Sequence, residues 1–146
     1  MAVIETTIDT HSDPFAANRA AHLQLLGEFR SLEHKVQETS DRSKGRFRER
    51  GQLLPRERIQ MLLDRDAPFL ELSTLAGLGM HEDDGHTNVY GGGNITGVGF
   101  VSGIRCAIYV NDSGIKGGAN HPKGVEKALR LQAIALENRL PFIQLV

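Results

Sequence analysis

Ile104-Arg105-Cys106-Ala107-Ile108-Tyr109-Val110, followed by Asn111-Asp112-Ser113-Gly114-Ile115-Lys116-Gly117-Gly118-Ala119-Asn120-His121-Pro122, decides how this chain folds. The first run is apolar at both odd and even positions, so as a strand it belongs inside a sheet covered on both faces. The glycines and short polar residues that follow have loop composition. Pro122 then suits the first turn of a helix, and Val125, Ala128, Leu129, Ala135 and Leu136 form its broad apolar face. Phe142 to Val146 reads as another strand. A strand, a helix and a strand in succession predict a right-handed crossover that makes the two strands parallel neighbours.

Upstream, Ile95 to Val101 reads as a strand joined to Ile104–Val110 by Ser102-Gly103, a pair suited to a two-residue hairpin turn. Gly77 to Gly93 is rich in Gly, Asp, His and Asn and predicts a long irregular loop, preceded by a short strand at Phe69 to Leu72. Leu53-Leu54-Pro55 opens a short helix with Ile59, Leu62 and Leu63 on one face, ended by Asp64 to Pro68. The basic run DRSKGRFRERG, residues 41–51, is either an anion-binding patch or a solvated helix connection. A first helix begins at Asp13-Pro14, with Asp13 as its cap and Leu25, Phe29, Leu32 and Val36 along one stripe. The fold class is α/β, or α+β, with a partly parallel sheet and helices in front.

The 146 residues, 40% hydrophobic and 24% charged, suffice for one core. A net charge of −1 gives no global attraction to nucleic acid or to an anionic membrane. The single cysteine, Cys106, rules out an intramolecular disulfide and fits a reducing compartment. Glu5 and Asp9 near the N-terminus do not read as a secretory signal, and no run reaches membrane-spanning length. The expectation is a soluble, cytoplasmic protein.

In open parallel sheets, ligands bind beyond the carboxyl ends of the strands, where helix N-termini present unpaired amides. The 111–121 loop fits that place. Gly117-Gly118 lets the backbone approach a ligand and aim amides at an oxyanion or a phosphate, although a flexible turn explains the same residues. No Walker loop is present. His81, Asp83, Asp84 and His86 carry metal-ligand atoms, but their setting reads as a solvated loop and no metal site is expected. His121 stands near the helix start, as an acid or base or as a plain cap-region residue. Asp112 and Ser113 lack a histidine at triad spacing, and Cys106 is expected buried and inert.

At this level of detail the chain resembles a known family. Arg50-Gly51-Gln52-Leu53-Leu54-Pro55-Arg56-Glu57-Arg58-Ile59, Leu62-Leu63-Asp64 and Pro68-Phe69-Leu70-Glu71-Leu72 resemble the start of the carboxyltransferase (β) subunit of biotin-dependent acyl-CoA carboxylases. Gly97-Val98-Gly99, Val101-Ser102-Gly103, Asn111-Asp112, Lys116-Gly117-Gly118 and the run Leu129 to Leu140-Pro141 continue the likeness in order. It covers residues 22–146, leaving 1–21 as an N-terminal extension and helix start. The methylcrotonyl-CoA and geranyl-CoA branch is the most similar, and Met80–Gly85 with Asp112–Lys116 leans towards the geranyl-CoA type.

The resemblance implies a crotonase-like fold of ββα units, present here as an incomplete N-domain with N-terminal helices. It implies transfer of a carboxyl group from carboxybiotin to an enoyl-CoA. Gly117 and Gly118 would be backbone oxyanion donors, and Lys116 and Ala119 would bind substrate. The second oxyanion amide would follow Val146, so residues 1–146 alone are expected to be inactive. Biotin would be carried by a biotin carboxylase/biotin carrier α subunit, which alone would use ATP and Mg, and the β subunits would form a homo-oligomer. Two departures, Asn120-His121 in place of an aromatic pair and Glu126 in place of a helix lysine, bear on substrate and CoA contacts. An acyl-CoA decarboxylase of the same fold, or a non-catalytic acyl-CoA-binding or assembly module, are the alternatives.

Overall fold

A computed structural model describes residues 5–146. In chain order the elements are α1 (Asp13–Asp41), α2 (Lys44–Glu49), α3 (Pro55–Leu62), β1 (Leu70–Leu72), β2 (Asn94–Val101), β3 (Ile104–Asn111), α4 (Pro122–Glu137) and β4 (Phe142–Leu145). The chain divides into two compact units, one through Ser31 and one from Leu32 to Val146.

The first unit is the opening of α1. Ser12, rather than Asp13, sits at the cap: its Oγ lies 3.4 Å from the Phe15 amide and its carbonyl accepts the Ala16 amide. Asp13 falls inside the first turn, where a carboxylate complements the positive end of the helix. Leu25 and Phe29 are exposed in this unit, so the expected stripe along α1 is covered only further on, at Val36 in the second unit.

The second unit is built on one sheet in the order β1-β2-β3-β4. β1 and β3 both pair antiparallel with β2, whereas β3 and β4 run parallel, Ile108 facing Ile143. The Val101↔Ile104 register confirms a two-residue turn. Ser102 and Gly103 both have positive φ, and their amides donate to the two carboxylate oxygens of Asp64 at 2.6 and 2.7 Å.

β3 is covered on both faces, as its sequence requires. Cys106, Ile108 and Val110 pack with Ile95, with Ile59 and Leu62 of α3, and with Leu63 just after it. Ala107 faces the other way, onto Leu131 and Ala135 of α4. Burying such side chains is worth about 25 cal/mol per Å² of apolar surface, which makes β3 the spine of the core. Cys106 is 4% exposed and unpaired.

α4 corrects the expected apolar face. Its buried positions are Gly124, Lys127, Leu131 and Ala135, while Val125, Leu129 and Leu136 are exposed. The helix begins at Pro122 as expected. α3 begins at Pro55, and the Glu57 carboxylate reaches back to accept the Leu54 amide at 2.9 Å. That bond, with the Arg48 guanidinium, holds the Glu57 carboxyl below its ordinary range.

Candidate functional site

β3 ends at Asn111, and the loop that leaves it is tied down from two sides. The buried Asp112 carboxylate accepts the Ser40 hydroxyl at 2.9 Å and the Gly114 amide at 3.0 Å. Burial pushes its carboxyl above the ordinary range, against the lowering effect of those bonds. Gly114 packs so closely on Ser40 that a β-carbon would stand 2.8 Å from the Ser40 carbonyl oxygen. Ser43 Oγ donates to the Gly114 carbonyl at 2.8 Å, and Arg46 to that of Ser113 at 3.2 Å. The basic 41–51 segment is a largely exposed helix connection, as one of its two readings expected, but it is not idle. It forms α2, buries Phe47 and secures this loop.

The loop then closes in a 3₁₀ turn at Lys116–Gly118. The two glycines behave differently. The Gly118 amide donates to the Ile115 carbonyl at 2.9 Å, so it is engaged within the turn and does not present the free donor expected of it. Gly117, at φ 67°, has no hydrogen-bond partner for its amide among the described residues. A β-carbon there would meet nothing within 4 Å. Gly117 is thus the open amide of the pair. The Ala119 amide donates to the Lys116 carbonyl at 3.3 Å, continuing the turn.

Lys116 points back over the 77–93 loop. Its ammonium pairs with Glu82 and lies 5.0 Å from the centre of the Tyr90 ring. Tyr90 in turn stacks on His121, with ring centres 5.4 Å apart and planes 20° apart. His121 precedes α4, its Nε2 is buried without a hydrogen-bond partner, and burial with the nearby Lys116 and His81 lowers its pKa. That shift favours the neutral form of the imidazole. Around it, His81, Asp83, Tyr90 and Lys123 leave a cavity of only about 20 Å³, too small for an organic substrate.

The 77–93 loop is organised by two carboxylates. Asp83 is buried and accepts the amides of Gly79, Gly85 and Tyr90 at 3.1, 2.9 and 2.9 Å. Asp84 accepts those of His86, Thr87 and Asn88, which lowers its pKa. Both carboxylates are turn-forming acceptors. Among the described residues no group of three or more His, Cys, Asp or Glu side chains is placed to hold a metal ion. No described helix is long and apolar enough to cross a membrane.

One residue of the site escaped the sequence reading. Lys127, 5% exposed, donates from Nζ to the carbonyls of Gly91 and Asn94 at 2.9 and 2.7 Å. Burial lowers its pKa to about 8. The available clue was its spacing: Gly124, Lys127, Leu131 and Ala135 lie three, four and four apart, one face of a helix.

The family described as the carboxyl transferase domain matches residues 46–146. The methylcrotonoyl-CoA carboxylase beta chain, mitochondrial, of Dictyostelium discoideum is 41% identical over 99% of this chain and 24% of its own length. The biotin-dependent 3-methylcrotonyl-coenzyme A carboxylase beta1 subunit of Mycobacterium tuberculosis is 50% identical over 73% of this chain and 20% of its own. Among solved structures, the beta subunit of geranyl-CoA carboxylase from P. aeruginosa superposes with a TM-score of 0.88 at 46% identity. That superposition covers 99% of this chain and 27% of that one. The chain thus spans about a quarter of the length of such relatives.

Proposed function

Because this chain belongs to the carboxyl transferase domain family, we propose that it forms the acyl-CoA side of a carboxyltransferase site that transfers a carboxyl group to an enoyl-CoA. The substrate class is a branched enoyl thioester such as methylcrotonyl-CoA or geranyl-CoA, after the relatives most like it. The observation that carries the reading is the open Gly117 amide, fixed at positive φ just beyond the carboxyl end of β3.

Removing a proton from an acyl thioester moves negative charge onto the thioester oxygen. A preorganised amide facing that oxygen stabilises the charge as it develops, and removing one such donor typically costs about 10²–10³ in rate. Gly117 supplies that amide. Gly118 and Ala119 shape the turn that aims it, and Lys116, held by Glu82 and Tyr90, borders the substrate. Biotin, carried by an α subunit that also bears the biotin carboxylase activity, supplies the carboxyl group. ATP and Mg serve that partner alone, and no residue of this chain is assigned to either. Residues 22–146 are the carboxyltransferase part and 1–21 an extension. The β subunits form a homo-oligomer in the cytoplasm.

Hydrogen exchange in the assembled carboxylase tests the assignment. Saturation with 3-methylcrotonyl-CoA should slow exchange at the Gly117 amide more than at Gly118, which is already bonded to Ile115. Unchanged exchange across Lys116–Ala119 on saturation would overturn it.

A further inference from the structure

We propose that Lys127 is a positioning residue for this site: its ammonium grips the carbonyls of Gly91 and Asn94 and so fixes the tri-glycine turn on which the Asp112–His121 loop is seated. The proposal rests on the carboxyltransferase reading given above.

Gly91, Gly92 and Gly93 all have positive φ, at 53°, 80° and 71°. Three successive glycines lose more conformational freedom on ordering than any other triplet, so the turn needs external restraint. Lys127 provides it from one side. On the other side the Gly93 carbonyl accepts the Asp112 amide at 3.1 Å, and a β-carbon on Gly93 would stand 3.1 Å from the His121 ring and 3.8 Å from the Ala119 carbonyl oxygen. The turn therefore lies between Lys127 and the loop that presents Gly117. Displacement of the turn is displacement of the loop's base.

A buried ammonium is costly, and among the described residues Lys127 has no ion-pair partner. The charged groups facing it are Glu71 of β1, Arg56 of α3 and Asp112 of the loop. Glu71 is itself engaged by Arg56 through two hydrogen bonds, at 2.7 and 3.0 Å. The two carbonyls are the direct partners of the charge, and charge-assisted bonds are roughly twice as strong as neutral ones. Loss of the proton leaves two N–H donors but removes the charge that strengthens both bonds, so the grip weakens on deprotonation.

The test measures kcat and KM for 3-methylcrotonyl-CoA from pH 6.5 to 9.5 in the assembled carboxylase, wild type and Lys127→Met. The wild type should lose kcat as pH rises through about 8, where the ammonium becomes an amine. Lys127→Met should show kcat lowered about tenfold at pH 7 and no such limb, as a misplaced catalytic donor predicts. An identical limb in both proteins, or an unchanged kcat, would overturn the proposal.

A second measurement holds if the variant does not fold. In the wild type, exchange protection at Gly91–Gly93 and at Asp112, whose amide is bonded to the Gly93 carbonyl, should fall between pH 7 and 9 while that of β2 and β3 stays constant, and flat protection at the turn would overturn the proposal. If the wild type carboxylates no enoyl-CoA, the functional reading fails, and the protection data still decide the role of Lys127.

Discussion

Gly124, in the first turn of α4, lies directly against Gly92: a β-carbon at Gly124 would overlap the Gly92 carbonyl oxygen. The contact is locked by the Asn94 side-chain amide, which donates to the Gly124 carbonyl at 3.0 Å. Alanine is the better helix former by about 1 kcal/mol, but overpacking here costs more, about 1–3 kcal/mol. Gly124→Ala should therefore destabilise the protein by about 2 kcal/mol in denaturant unfolding. Gly27→Ala, at a position in α1 with nothing within 4 Å, is the control and should be neutral or slightly stabilising.

The pH dependence of stability should carry the mark of Asp112. Burial raises its carboxyl pKa in the folded protein, so in the range above the ordinary aspartate value the folded state holds more protons than the unfolded one. Stability must then fall as pH rises from the unfolded value towards the folded one. Asp112→Asn keeps an oxygen acceptor for Ser40 and Gly114 and does not titrate. The difference in unfolding free energy, variant minus wild type, should shift in favour of asparagine with rising pH and level off once Asp112 is ionised. Urea titrations at several pH values check the sign.

Asp83 should behave as a structural acceptor. Asp83→Ala leaves three loop amides, those of Gly79, Gly85 and Tyr90, without their partner. The loss should be about 2–3 kcal/mol, and it should loosen the Tyr90–His121 stack. Amide exchange across residues 79–90 should accelerate, whereas added divalent metal should change neither exchange nor melting temperature.

The β2–turn–β3 unit, α4 and β4 were legible in the sequence because each is set by local chemistry: apolar runs at strand length, Ser102-Gly103 at the turn and Pro122 at the helix start. The face that α4 buries was not. A count of apolar side chains favours Val125, Leu129 and Leu136, yet the helix turns Gly124 and Lys127 inward. A missing side chain and a carbonyl-bound ammonium gain meaning only once the tri-glycine turn is beside them. The 77–93 loop likewise reads as unstructured composition until Asp83 and Asp84 are seen to gather its amides. Lys116-Gly117-Gly118-Ala119 stands out in the sequence as a glycine-bearing loop between a strand and a helix, and the structure has it as a turn there. Which glycine keeps its amide free depends on the Ile115 carbonyl, and that is a matter of backbone direction rather than residue type.

The central claim is most directly tested by following ¹⁴C-bicarbonate into acid-stable CoA thioester, using the assembled protein with its biotin-bearing partner, ATP and Mg. The account predicts ATP-dependent labelling of 3-methylcrotonyl-CoA or geranyl-CoA, with little or none of acetyl-CoA. No label in any enoyl-CoA, with the partner's biotin shown to be carboxylated in the same reaction, would contradict it.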